Sequence, residues 1–372
     1  MSMAAERARV AVAEPDRLEG FSSPREVDRL FGHDEAMREF ADALAGGRMH
    51  HAWLIVGPEG VGKATLAYHF ARTVLAEGEA GRRPEDIGAD HPLFRKVEAL
   101  SHPNLLLLRR SYNDKTKRYS QFIGVDEVRR LKAFLGNTAG EEGWRVVIVD
   151  RADDLNQNAA NALLKALEEP PPRTLFLLVS SAEGRLPVTI RSRARTLRVA
   201  SLAEQDLEQA VRAALARDDR EADAKTLATA LALSQGSVRR ALELVSGEGI
   251  ELYDEIIAFF EALPELDGAR LHRLVERIGG FSNTEQLELF LALLLGLIER
   301  LIRFTATGEG ATRDEQKLAK RLISRGNLAH WAEAWEAISE ARAEAFEYNL
   351  DRSLLVLETW FRLQKLSREH PV

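Results

Sequence analysis

The sequence predicts an α/β domain, with a parallel sheet flanked by helices, followed by an all-helical remainder. Three observations carry this. From about Pro24 to Val199, short apolar runs alternate with segments of helical period. One of those runs passes through a glycine-rich turn straight into a helix. Beyond Ser201 the strand signals stop.

Taken in order, residues 1–23 are rich in Ala, Glu and Arg and are expected to form a flexible leader. His51–Val56 predicts a short buried strand, and Ala64–Leu75 a helix with Leu66, Phe70 and Val74 on one side. Asn104–Leu108 is the next strand, followed by a polar loop over Asn113–Arg118. Val125–Leu135 predicts an amphipathic helix turning Val125, Val128, Leu131 and Leu135 inward. Val146–Val149 is a buried strand ending at Asp150. Leu155–Glu169 is a helix stopped by Pro170-Pro171-Pro172, because proline lacks a donor and restricts the residue before it. Thr174–Ser180 and Thr196–Val199 complete four or five strands joined mostly by helices. Leu202–Val245 reads as short helices with a break at Gln235-Gly236-Ser237. The stretch from Ile250 to Leu366 is almost continuously helical, including Leu287–Phe304 and Leu350–Leu363. The expected divisions are a leader over 1–23, an α/β domain over 24–200, a small helical domain over 201–248 and an all-α domain over 249–372.

Composition narrows the function classes. A net charge of −7 and a pI near 5.8 provide no global basic field for nucleic acid or membrane. The absence of cysteine excludes disulfides and thiolate metal sites within the chain, so no zinc is expected. No apolar run is long enough to span a bilayer, which sets a cytoplasmic protein as the expectation.

The run Gly57-Pro58-Glu59-Gly60-Val61-Gly62-Lys63 fits the phosphate-binding pattern G-x-x-x-x-G-K. Its glycines let backbone N–H groups curl around phosphate oxygens, and the following helix presents the positive end of its dipole. Lys63 would reach the outer phosphates. The hydroxyl that normally holds magnesium is missing, because position 64 is Ala. Thr65 lies one position farther, about 100° around the helix, which points its hydroxyl elsewhere. Asp150 ends a strand as the carboxylate that approaches magnesium through water does, but Arg151 follows it and cannot accept a proton. ATP or ADP is therefore expected to bind, with magnesium doubtful and hydrolysis poorly supported.

The stretch from Ala159 to Pro171, AANALLKALEEPP, is very similar to the signature of bacterial DNA polymerase III clamp-loader subunits. Leu186-Pro187-Val188-Thr189-Ile190-Arg191-Ser192-Arg193 resembles that family's serine–arginine motif, with Ala194 where a Cys is usual. The resemblance runs from Phe31-Gly32-His33 through Gly236-Ser237-Val238-Arg239, about two-thirds of the chain. It implies the AAA+ class: an α/β nucleotide domain, a helical lid and a helical collar that joins five subunits. It implies that Arg193, steadied by Ser192, acts in trans on nucleotide held by a neighbour, that Arg239 contacts phosphate from the lid, and that Phe31-Gly32-His33 lines the adenine pocket. The family's four-cysteine zinc module has no counterpart between Glu77 and His102. Of the family's two kinds of subunit, Ala64 and Arg151 depart toward the degenerate delta-prime type, a stator with little or no ATPase activity alone. The alternative is an ATP-hydrolysing motor subunit of gamma/tau type. Implied partners are motor and delta subunits and, through the complex, the sliding clamp and primed DNA within the polymerase holoenzyme.

Overall fold

The computed structural model describes residues 14–15, 17–76, 87–113, 115, 118–136, 143–247, 249–280, 284–348 and 350–371. Most of the expected leader, and part of the polar loop over 113–118, lie outside these residues. The end of the leader is a correction. Phe21 is buried under the guanidinium of Arg220, Ser23 is buried, and the backbone N–H and hydroxyl of Ser22 both donate to Asp218, so residues 21–23 are packed.

The chain folds as two compact units, residues 1–222 with 234–242, and residues 223–233 with 243–372. In the first, α1 (Asp34–Ala45) precedes β1 (Ala52–Val56), which runs through a loop into α2 (Lys63–Leu75). Then come α3 (Pro92–Glu98), β2 (Leu105–Leu108), a ribbon of β3 (Tyr112–Asn113) and β4 (Arg118–Tyr119), and α4 (Val125–Gly136). After these follow β5 (Arg145–Val149), α5 (Gln157–Glu168), β6 (Thr174–Ser180), α6 (Val188–Arg191), β7 (Arg195–Arg198) and α7 (Glu204–Arg217). Five strands form one sheet in the order β2-β5-β6-β1-β7, every neighbouring pair parallel. The expected fold class is thus present. The β3–β4 ribbon was not expected, because a two-residue polar pairing carries no apolar alternation.

Both faces of the sheet are covered, which is why its strands read as unbroken apolar runs rather than alternating ones. Trp53, Ile55, Val146, Ile148, Leu175 and Leu177 enter one core with Phe40 of α1 and Leu66, Phe70 and Val74 of α2. Leu54, Val56, Val147, Val149, Phe176 and Leu178 enter the opposite core with Val128 and Leu131 of α4 and Leu163 and Leu167 of α5. Helix α5 begins at Gln157 rather than Leu155, because the Asn156 side chain caps it by accepting from the Ala159 N–H at 2.9 Å. Residues 152–154 form a 3-10 turn instead.

The remaining helices are α8 (Ala224–Leu233), α9 (Val238–Ser246), α10 (Gly249–Ala262), α11 (Gly268–Ile278), α12 (Thr284–Thr307), α13 (Arg313–Leu322), α14 (Leu328–Glu347) and α15 (Arg352–Glu369). The break before α9 falls on Gln235 and Gly236, with φ of 52° and 80°. The second unit packs around Phe259, Phe260, Phe290, Trp331 and Trp360, with Leu291, Leu294, Leu297 and Leu301 of α12 fully buried. Among the described residues no helix is long and apolar enough to cross a membrane.

Candidate nucleotide-binding site

In a parallel α/β sheet, ligands bind beyond the carboxyl ends of the strands, where the loops converge. Here the loop after β1 and the residues after β5 and β6 open on a cavity of about 220 Å³. Its walls come from residues 18–31, the loop 59–65, Asp150, Arg151, Val179 and Ser181, and from Leu202, α7, Val238, Arg239 and Leu242. Val27, Leu30, Phe31 and Leu202 supply apolar surface. Five basic side chains line it (Arg29, Lys63, Arg151, Arg217, Arg239) against three acidic ones (Glu59, Asp150, Asp218), in a chain whose overall charge is negative.

The loop geometry follows from its glycines. Gly60 has φ of +76°, and a Cβ there would sit 2.3 Å from the Ser237 hydroxyl and 2.7 Å from Arg239 Cβ. The Arg239 N–H donates to the Gly60 carbonyl at 3.2 Å, so the segment that starts α9 lies directly on the loop. Ser237 caps that helix, its hydroxyl accepting from the Arg240 N–H at 3.3 Å. Gly62, at φ of +102°, hands the chain to α2, whose first turn contains no acidic residue to oppose an anion. The His33 Nε2–H donates to the Val61 carbonyl at 2.8 Å and holds the loop from the other side.

Lys63 folds back on its own loop. Its ammonium donates to the carbonyls of Gly57 at 2.9 Å and Pro58 at 2.5 Å. Burial pushes its pKa down to about 8. Glu59, Asp153 and Asp150 oppose that shift, and Arg151 adds to it. Arg151 has φ of +59°. Its Nε lies 3.1 Å from Asp154, and its Nη1 donates to Glu59 of the phosphate loop at 3.2 Å. The position after Asp150 is thus filled by a cation tied to the loop itself.

Of the residues singled out from sequence, Glu59, Gly60, Val61, Gly62, Lys63, Ala64, Thr65, Asp150 and Arg239 line this cavity together. Gly57 and Pro58 stand behind it and hold the lysine. Phe31 lines it, whereas His33 acts on the loop backbone. Ser192 and Arg193 are not in its wall. Arg193 follows α6, donates to the Thr189 carbonyl at 3.0 Å, and pairs with Glu168 at the end of α5 at 2.8 Å, with about a third of its side chain exposed. Sequence reasoning missed Arg72. It is buried in α2, stacks over Phe94, and donates to the carbonyls of Arg25 and Val27, fixing the strip that forms the apolar wall. Burial lowers its pKa to about 10. Those partners lie more than forty residues away, and no local pattern announces them.

A divalent cation does not fit this donor set. Ala64 presents a methyl group where a hydroxyl ligand is required, and the residue beside Asp150 is a cation. Among the described residues no group of three or more His, Cys, Asp or Glu side chains is placed to hold a metal ion.

Residues 32–203 match the family model described as DNA polymerase III, delta subunit. The chain is 40% identical to the DNA polymerase III subunit delta' of Pseudomonas aeruginosa over 153 residues, 40% of this chain and 43% of that protein. It is 25% identical to subunit tau of Escherichia coli over 295 residues, 75% of this chain and 44% of that one. The matches therefore span less than half the length of these two relatives. With the subunit delta' of Haemophilus influenzae it is 30% identical over 253 residues, 65% of this chain and 72% of the relative. On that extent of likeness, the chain belongs to the family of bacterial DNA polymerase III clamp-loader subunits.

Proposed function

We propose that this chain is the delta-prime, stator-type subunit of a clamp loader, which holds nucleotide without hydrolysing it and lends Arg193 to a neighbouring ATPase subunit. The carrying observation is Arg151, a permanently charged group locked between Asp154 and Glu59 where hydrolysis needs a base. Ala64 removes the metal's hydroxyl ligand from the same cavity. Arg193 supports the second half of the proposal: it stands outside the chain's own cavity, oriented by Thr189 and Glu168 on an exposed edge. A guanidinium presented to a neighbour's γ-phosphate stabilises charge that develops on the transferred group. The partners are motor subunits of gamma/tau type and a delta subunit, which together load a sliding clamp on primed DNA.

The test mixes purified chain with motor and delta subunits and compares ATP hydrolysis for wild type and Arg193→Ala. The mutant is expected to assemble normally and to lower turnover at the adjoining site by about a hundredfold or more. A fully formed mutant complex with wild-type turnover overturns the trans role. ATP turnover by the isolated chain that vanishes on Lys63→Ala would instead make it a motor subunit.

A further inference from the structure

We propose that the cavity takes its nucleoside di- or triphosphate without a metal ion, and that the guanidinium of Arg151 occupies the electrostatic role of the missing cation. It rests on the assignment of the cavity as a nucleotide site. A diphosphate needs positive charge at two places, the loop lysine and a metal held between hydroxyl and carboxylate. This chain keeps the first, Lys63, and has lost the hydroxyl of the second. Beside the carboxylate of the second place, Asp150, it carries a cation instead, Arg151, in the wall of the same cavity.

Three contacts make Arg151 more than a surface charge. Its backbone is held at φ of +59°, outside the range arginine prefers, which aims the side chain across the strand ends toward the loop. Its Nε rests 3.1 Å from Asp154, which in turn lies 3.3 Å from Arg110, so one edge of the guanidinium is anchored. Its Nη1 reaches the Glu59 carboxylate at 3.2 Å. Glu59 belongs to the phosphate loop, lines the same cavity and is mostly exposed. That carboxylate sits where an incoming phosphate oxygen would bond the same N–H group. Binding then exchanges one oxyanion for another, and Glu59 turns out to solvent. The planar fork of a guanidinium suits this exchange, since it can hold two phosphate oxygens while Asp154 keeps its far edge. Magnesium bound to the nucleotide would meet Arg151 as a like charge and would find no hydroxyl at position 64.

The experiment titrates the full chain with a fluorescent ADP analogue in excess magnesium and again in EDTA. The expected result is affinity in EDTA at least equal to that in magnesium. Arg151→Asn, which tolerates the left-handed backbone, is expected to weaken EDTA binding about tenfold, and Arg151→Lys to recover part of it. Thermal melts of both variants establish that they are folded. Glu59→Gln, which removes the internal competitor, is expected to tighten binding severalfold. Binding that falls fivefold or more in EDTA overturns the metal-free role while leaving the cavity a nucleotide site. Equal EDTA affinity for folded wild type and Arg151→Asn also overturns it. Binding in neither buffer overturns the nucleotide site itself.

Discussion

Lys63 stands with its ammonium against two carbonyl oxygens of its own loop, 95% buried, and its proton is correspondingly loosely held, with a pKa near 8. A bound phosphate would offer it an opposite charge and raise that pKa. The sign of the pH dependence follows. Below about pH 8 the lysine is charged with or without ligand, and affinity is flat. Above it, binding must take up a proton, and affinity falls with a limiting slope of about tenfold per pH unit. Fluorescent ADP titrations between pH 7 and 9.5 measure this. Lys63→Arg, whose charge survives that range, is expected to bind with a flat profile. A wild-type profile as flat as the mutant's would mean that the ammonium never reaches the phosphates.

At the scale of elements, α13 shows how one side chain can both cap a helix and close a core. Thr312 and Glu315 form a capping box, in which a Glu315 oxygen accepts from the Thr312 N–H at 2.8 Å. The other oxygen accepts from the Tyr253 hydroxyl of α10 at 2.6 Å and from Arg300 Nε of α12 at 2.8 Å, with the carboxylate fully buried. Burial pushes the Glu315 carboxyl up, but Arg300 and the hydrogen bonds outweigh it, and the net direction is down. Its contribution is therefore present at neutral pH and is lost as the pH falls through the lowered value. Glu315→Ala strands a buried guanidinium and is expected to cost about 3–5 kcal/mol in urea unfolding. Tyr253→Phe is expected to cost about 1–2 kcal/mol. This triad was invisible in the sequence because its members come from three helices. What was legible was local: the buried strands from their apolar runs, the loop from its glycines, and the end of α5 from its prolines. Arg151 was read as the loss of a base. Its bond to Glu59 spans 92 residues, and only the sheet, by setting β1 and β5 on either side of β6, brings the two together.

Over the whole molecule, each unit buries its own core: two layers against the sheet in the first, and the aromatic cluster around α12 in the second. Units with separate cores can unfold as separate cooperative blocks. Every residue that lines the cavity belongs to the first unit. A ligand that binds only the folded form of that unit stabilises it by about 2.7 kcal/mol at a hundredfold excess over its Kd, and leaves the other unit unchanged. Calorimetry of the full chain is therefore expected to resolve two transitions, of which ADP raises one. Two core variants assign them. Leu66→Ala, at a fully buried position in α2, should lower the ADP-sensitive transition, and Leu294→Ala, fully buried in α12, the other, each by the equivalent of about 2–5 kcal/mol. If both variants and ADP move a single transition together, the two cores unfold as one, and nucleotide in the sheet domain would then stabilise the helical unit as well.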